Sequence, residues 1–282
     1  MLAVAPPLTR IFSDLHYGER VSIVQNLAQL DPLLTGIAGL VLNGDSLDTR
    51  PGPHPATIQE VRRTLADYLR ATPTVMLTGN HDPDISTTHL HELTGARVLV
   101  THGDIMFDDI VPWGRDARLA HQLVSRERGA ASALTLEQLL HAHRRAAGAL
   151  PRRLPQTDTR PWQSIGRLMV ELLFPPTRVT RVLRAWSEMP ARTAALARTH
   201  RPEARFLVVG HTHRPGIWKQ RDGRVVINTG SFCRPLGRLV VDVAPDHLIV
   251  RRVVRRGMDY HPGERVAEFA LASAGFLTET RP

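Results

Sequence analysis

The sequence predicts an α/β protein whose two sheet-forming segments are separated by a helical, arginine-rich insertion. Three observations carry this expectation. Short apolar runs alternate with helix-period segments through the first hundred residues, strand patterns return after residue 205, and the excess positive charge lies between the two.

Arg10–Ser13, Leu40–Asn43, Thr74–Thr78, Val98–Thr101 and Phe206–Val209 are short β-rich runs ending at Gly, Asp, Asn or His, the pattern of buried strands. Between the first three, Val21, Val24, Leu27 and Ala28, then Ile58, Val61, Arg62 and Leu65, recur at helical spacing. Such alternation builds a sheet with helices on its faces. After Thr101 the period changes. Leu136, Leu139, Leu140 and His143 share one helix face, and Ile165, Leu168, Met169, Leu172 and Leu173 share a second. Pro175–Pro176 stops that helix, and Val179, Val182, Leu183 and Trp186 begin a third. Strand signals resume at Gly216–Gln220, Val225–Asn228, Leu236–Val243 and Leu248–Val254, joined by turns such as Arg221-Asp222-Gly223 that suit antiparallel hairpins. The expected organisation is a main domain from residues 1–111 and 205–256, an insertion at 112–204 and a C-terminal extension at 257–282.

Composition narrows the classes. The chain has 282 residues, 42% hydrophobic and 22% charged, which excludes wholesale disorder, collagen and coiled coils. Its one cysteine, Cys233, excludes an internal disulfide and a CxxC zinc site, and reads as a small buried side chain. Its apolar runs fall short of the roughly 20 residues of a membrane span. Met1–Pro7 lacks the basic and apolar regions of a signal peptide, so a cytoplasmic protein is expected. Of 36 basic residues, 35 are arginine, and residues 112–204 hold 16 Arg against 7 Asp and Glu. That local excess of +9 equals the net charge of the whole chain. Arginine's planar fork suits phosphate, and a localised excess concentrates anionic partners.

Five polar clusters follow five of the predicted strands: Asp14-Leu15-His16, Gly44-Asp45-Ser46-Leu47-Asp48, Gly79-Asn80-His81-Asp82, His102-Gly103-Asp104 and Gly210-His211-Thr212-His213. Ligands bind beyond the carboxyl ends of strands in open α/β sheets, so clusters two hundred residues apart can converge. Carboxylate, imidazole and amide donors without thiolate suit Mn²⁺, Fe²⁺ or Zn²⁺. The seven candidates Asp14, His16, Asp45, Asn80, His102, His211 and His213 exceed one tetrahedral ion and suit two ions sharing a carboxylate. Each cluster alone reads as readily as a turn or a helix cap. Their joint occurrence, in order and at strand ends, is what argues for a site.

The ordered set DLH, GDSLD, GNHD, HGD and GHTH, continuing into Ile227-Asn228-Thr229-Gly230-Ser231, resembles the calcineurin-like metallophosphoesterases. The resemblance implies a four-layer α/β/β/α sandwich with a helical cap insertion. Within the family, DLHYG, HGD, GHTHRP and the helical insertion look most like the UDP-2,3-diacylglucosamine hydrolases, which typically carry Arg where this chain has His81. It further implies that Asp14, His16, Asp45 and His213 hold one metal while Asp45, Asn80, His102 and His211 hold the second. His81 would act as general acid or stabilising cation toward the leaving oxygen. Asn80, His81 and Arg214 are the expected substrate contacts, Arg214 reading equally as a surface ion pair. Asp48 reads as a helix-start carboxylate or a partner of a ligand imidazole. Asp82 is expected to orient the Asn80–His81 turn, and Asp104 either to orient His102 or to cap the next segment.

The implied activity is hydrolysis of a phosphodiester or phosphoanhydride, in a nucleotide-linked or lipid-linked substrate such as a UDP-acylated sugar. A nuclease, a nucleotide phosphodiesterase and a non-catalytic scaffold are the rivals. The insertion, with Trp113, Trp162, Phe174 and Trp186 among arginines, is expected to cap the metals. Leu168–Phe174 beside Arg178, Arg181 and Arg184 also resembles an interfacial element for peripheral contact with the inner membrane face. A nucleic-acid surface has only charge behind it.

Overall fold

The computed structural model describes residues 7–130, 133–152, 176–271 and 276–278. Two sheets face one another. The first contains β1 (Thr9–Phe12), β2 (Gly39–Asn43), β3 (Thr74–Leu77), β9 (Leu239–Val243), β10 (His247–Arg256), β11 (Asp259–Ala270) and β12 (Phe276–Thr278), ordered β12-β11-β10-β9-β1-β2-β3. The second contains β4 (Leu90–Leu93), β5 (Val98–Thr101), β6 (Phe206–Val209), β7 (Gly216–Lys219) and β8 (Val225–Asn228), ordered β4-β5-β6-β8-β7. The strands β1–β2–β3 and β5–β6–β8 run parallel, and the flanking strands pair antiparallel.

Alternation along the strands assigns their faces. Ile11 and Val41 meet Val98, Val208 and Ile227 between the sheets. Phe12, Leu40 and Leu42 pack outward with Leu65 and Leu69 of α2 (Pro55–Leu69) and Leu33 of the short α1 (Asp31–Leu34). Outside the second sheet, Leu99, Leu207, Val209 and Val226 meet Leu136 and Leu140 of α4 (Leu136–Gly148) and Met189, Ala194 and Ala197 of α5 (Pro176–His200). Successive residues serve opposite faces, as the period of 2 requires. The result is the expected α/β/β/α sandwich.

Several elements differ from expectation. The Val21–Ala28 periodicity does not form a helix. Ser22 Oγ donates to the Leu15 carbonyl at 2.7 Å, and Asn26 and Gln29 form a capping box that starts a 3-10 turn only at Leu27–Leu30. In α5 the buried side chains are Ala185, Met189, Thr193, Ala194 and Ala197, while Leu183 of the expected stripe is 55% exposed. Small residues at i, i+4 spacing let this helix approach the sheet. The boundary expected at residue 256 falls inside the β10–β11 hairpin, so residues 257–282 supply strands of the first sheet. α3 (Ala117–Arg128) and β4 carried no clear sequence signal. The Ile165–Leu173 stripe, Trp162, Phe174 and Pro175 lie outside the described residues. Among the described residues, no helix is long and apolar enough to cross a membrane.

One ion pair locks the first sheet to its helical layer. Arg10 Nε and Nη2 donate to the two Asp242 oxygens at 2.6 and 2.9 Å, and Nη1 donates to the Leu33 carbonyl at 2.8 Å. Both side chains are buried, and removing Arg10 would leave Asp242 only the partly exposed Arg251, whose Nε lies 3.4 Å from Oδ2. Arg10→Met is expected to lower unfolding free energy by about 3–5 kcal/mol in urea titration. A loss below about 1 kcal/mol would show that water reaches Asp242.

Candidate metal centre

Five strands, the parallel β1, β2 and β3 of the first sheet and the parallel β5 and β6 of the second, end at the same side of the molecule and deliver the polar clusters there. Asp14, His16, Asp45, His211 and His213 all have positive φ, between 46° and 67°. Non-glycine residues pay for this left-handed conformation, and such strain gathers at functional sites. It turns each side chain back across the strand ends. The adjoining backbone must come close to do so. A Cβ on Gly79 would overlap Asp45, and one on Gly210 would overlap Asp14 and Ser13.

Three groups of donor atoms result, Asp14–His16–His213 and Asp45–His102–His211 among the expected ligands and a third, His16–Glu19–His81, that shares His16, each set lying within 4.8 Å. Asp45 stands between the first two, its Oδ2 at 3.2 Å from His102 Nε2 and 3.8 Å from His16 Nε2. Asn80 Oδ1 lies 2.8 Å from His211 Nδ1. All seven expected ligand residues therefore converge.

Hydrogen bonds on the far side of each ring set the chemistry. A proton on His102 Nδ1 is taken by the Asn43 carbonyl at 2.9 Å, and one on His16 Nδ1 by Glu19 at 3.1 Å. The Nε2 atoms of both rings are then left buried, without a hydrogen-bond partner, facing carboxylate oxygen. His211 Nε2 donates to the Ile110 carbonyl at 2.8 Å, which turns the Nδ1 lone pair toward Asn80 Oδ1. Acceptors that face acceptors in a buried space need a proton or a cation between them. These residues fit divalent ions, and carbonyl or carboxylate partners of this kind orient metal-binding imidazoles.

In the metal-free protein protons take this place at His102 and His16, though not at His211. Burial opposes charge on His102, but Asp45 beside it wins and raises its pKa to about 10. Burial likewise opposes charge on His16, while Glu19, Asp45 and Asp14 raise it to about 9. His211 is held neutral: burial and the nearby His102 lower it to about 4. For Asp45, burial favours the neutral acid, but His102 and His81 hold it well below the carboxylate range.

Supporting residues resolve several open readings. Asp82 accepts from the amides of Gly79, Asp45 and Ser46 at 2.7–2.9 Å, tying two ligand loops together. Asp104 pairs with buried Arg144 of α4. Asp48 does not start a helix; its Oδ2 lies 3.2 Å from His81 Nδ1 and accepts from Arg50 at 2.7 Å. The Arg214 guanidinium lies over the Trp186 and Trp218 rings, 5.6 Å from each centroid. Two neighbours carried no motif signal, Glu19 and Arg50. Glu19 lies three residues after His16 and 4.0 Å from His81 Nδ1, and Arg50 reaches within 2.9 Å of that nitrogen. Only their spacing from Asp-x-His and Gly-Asp-x-x-Asp was visible beforehand. The chain leaving His102 covers the second group, with Trp113 and Phe107 rings 5.7 and 6.1 Å from His211. Arg178 of α5 donates to the Trp113 carbonyl at 2.9 Å, which fastens that helix to this cover.

The model of the calcineurin-like phosphoesterase family matches residues 9–215. No curated protein matches the chain. Similar solved structures include a predicted phosphoesterase from Streptococcus pneumoniae TIGR4, 16% identical over 95% of this chain and 99% of that one, with a TM-score of 0.40. Another is Vps29 complexed with zinc from Entamoeba histolytica, at 14% identity, 92% and 98% coverage and a TM-score of 0.44. A dimetal phosphatase from Danio rerio gives 12% identity, 88% and 96% coverage and a TM-score of 0.42.

Cation loading must displace the protons on His16 and His102. Raised values mean that these protons stabilise the metal-free fold fully below the ordinary histidine value of 6.5, and that this contribution is lost as pH rises through about 9 to 10. Adding Mn²⁺ to metal-free protein at pH 8 is therefore expected to release protons, read with an indicator dye in weak buffer. Binding without acidification would show that His16 and His102 are already neutral in the metal-free protein, against their raised values.

Proposed function

We propose, from the premise that this chain belongs to the calcineurin-like phosphoesterase family, that it is a two-metal phosphohydrolase acting on a phosphodiester or phosphoanhydride. The observation that carries the reading is the convergence of imidazole lone pairs on Asp14 and Asp45, with Asp45 between the two groups. Asp14, His16, Asp45 and His213 would hold one ion, and Asp45, Asn80, His102 and His211 the other. Mn²⁺ heads the candidates, with Fe²⁺ or Zn²⁺ suited to the same donors. When bound, the ions supply positive charge at the phosphate oxygens and lower the pKa of an attacking water.

The chain's own residues do the rest. His81 stands at the rim, its side chain 24% exposed, where a substrate can reach it. His81 Nδ1 lies 2.9 Å from Arg50 Nη2 and 3.2 Å from Asp48 Oδ2, and the ring is held edge-on to His16 at a centroid distance of 4.8 Å. The pair orients the imidazole to give a proton to the leaving oxygen. Arg50, held bidentate by Asp48 at 3.0 and 2.7 Å, adds fixed positive charge beside it.

The arginine excess of residues 112–204 favours an anionic substrate, either nucleotide-linked or lipid-linked, with the helical segment as its cap. A UDP-diacylglucosamine-type molecule belongs to this class, as does peripheral contact with an anionic inner-membrane surface. A panel of UDP-diacylglucosamine, a dinucleotide, a cyclic nucleotide and single-stranded DNA separates the choices. Preference for DNA with a steep salt dependence would favour a nuclease.

His81→Ala is expected to retain two metals by mass-spectrometric metal analysis while Mn²⁺-dependent hydrolysis of an aryl phosphodiester falls about 10²–10⁴-fold. Loss of metal in this variant would reassign His81 as a ligand. Equal turnover in wild type and variant would remove His81 from the chemistry, and no Mn²⁺-dependent turnover in the wild type would support the scaffold reading.

A further inference from the structure

The first sheet carries one hairpin past the metal centre. β9 pairs antiparallel with β1, Ile11 opposite Val241, and β10 pairs antiparallel with β9, Val250 opposite Val241, so β10 runs in the direction of β1. On that register Arg252, opposite Leu239, stands level with Ser13, just before the Asp14 cluster. β10 continues through Arg256 before the turn into β11. At about 3.3 Å per residue the turn stands roughly 13 Å beyond the level of Ser13, at the end of the molecule that holds the ligands.

Hydrogen bonds brace this projection against the metal loops. Tyr260 Oη donates to the Ile23 carbonyl at 2.9 Å, and Gln29 Nε2 to the Met258 carbonyl at 2.8 Å. Ile23 N donates to the Phe232 carbonyl at 2.8 Å, and Phe232 N to the Asp14 carbonyl at 2.9 Å. Ser22 bridges to Cys233, which brings Arg20 and Val21 alongside Arg234. The hairpin tip is thereby fixed relative to a ligand residue.

Its surface is apolar at the point and cationic behind. Met258 is 57% exposed and Val21 39%, two of the four exposed large hydrophobic side chains among the described residues. Arg20, Arg234, Arg255 and Arg256 are exposed, and among the described residues none pairs with a carboxylate. Arg255 Nη2 instead meets Met258 Sδ at 3.3 Å. Neighbouring carboxylates do not cancel the charge. Glu19 is taken by His16 at 3.1 Å, and Asp259, opposite Arg256 across the hairpin, forms no ion pair with it.

We propose that this tip docks on an anionic phospholipid surface, with Met258 and Val21 entering the headgroup layer and the four arginines meeting lipid phosphates. Buried apolar area and basic charge add in such binding, and a convex point suits a layer that deforms around it. Nucleic acid would need no apolar point and would find no stacking ring, because Tyr260 beside the turn is 1% exposed. Docking by the tip turns the ligand end of the sheet toward the bilayer, where a lipid-linked phosphate is presented. The inference extends the lipid-linked branch of the proposed function and adds a contact outside residues 112–204. It is read by binding without turnover, so each can fail without the other.

The test is cosedimentation of the full chain with phosphatidylglycerol or phosphatidylcholine vesicles, in EDTA so that no metal bridges protein and phosphate. Binding is expected on the anionic vesicles alone and to weaken as salt rises. Arg255→Ala combined with Arg256→Ala is expected to weaken it about 30-fold, at about fivefold per arginine, with an unchanged thermal melt. A polarity-sensitive dye on Met258→Cys is expected to brighten on anionic vesicles, the native Cys233 being buried. The same dye on Asp246→Cys, at the β9–β10 turn on the opposite end of the sheet, is expected to stay unchanged. Equal binding to both lipids, no binding to either, full affinity in the double variant, or a dye response only at position 246 would overturn the proposal. So would binding lost in Arg181→Ala combined with Arg184→Ala but kept in the tip variant, which would assign the contact to the helical insertion. Binding of polyglutamate with no dye response to vesicles would assign the tip to an acidic protein instead.

Discussion

Two buried carboxylates and four imidazoles, three of them buried, converge at one place, and the rest of the molecule is arranged around keeping them there. Asp14, Asp45, His102 and His211 are at most 4% exposed. Imidazole lone pairs face the carboxylates because the other nitrogens of His16, His102 and His211 are taken up by Glu19 and by the Asn43 and Ile110 carbonyls. Such an array is tolerable only with protons or cations inside it. The left-handed backbone at five of these residues and the missing Cβ atoms at Gly79 and Gly210 are local costs of building it. The sandwich meets those costs elsewhere, through the intersheet core and the Arg10–Asp242 pair.

The ligand residues were legible because metal chemistry restricts residue type and the sheet restricts position. Asp14, Asp45, Asn80, His102, His211 and His213 each needed only a strand before them and a turn after. What surrounds them was not legible. Asp48 reads in sequence as an N-cap, and only tertiary structure turns it toward His81. Glu19 carries no motif, and its partnership with His16 depends on the turn at Tyr17–Gly18. Arg214 sits beside a ligand in sequence, and its place over two aromatic rings depends on α5 and β7. Helices were legible where a long apolar face existed, as in α2 and α4. The Val21–Ala28 period misled because only Val24 and Leu27 of it are buried, in an irregular loop, and the packing face of α5 was hidden because alanines and Thr193 make up most of it.

The charge segregation seen in sequence also takes on a different meaning in space. Arg144 pairs with Asp104, Arg198 with Asp222 and Arg201 with Glu92, each acid lying outside the basic segment or at its border. Part of the local excess is therefore spent joining the helical layer to the second sheet. Exposed pairs of this kind contribute about 0–1 kcal/mol each, so their effect is more on placement than on stability. The buried Arg144–Asp104 pair stands directly behind His102 and links α4 to the centre.

Anomalous diffraction from crystals of the full chain equilibrated with Mn²⁺ tests the central claim most directly. The account predicts two peaks about 3.5–4 Å apart with the Asp45 carboxylate between them. A single peak away from Asp45, or none, would contradict it.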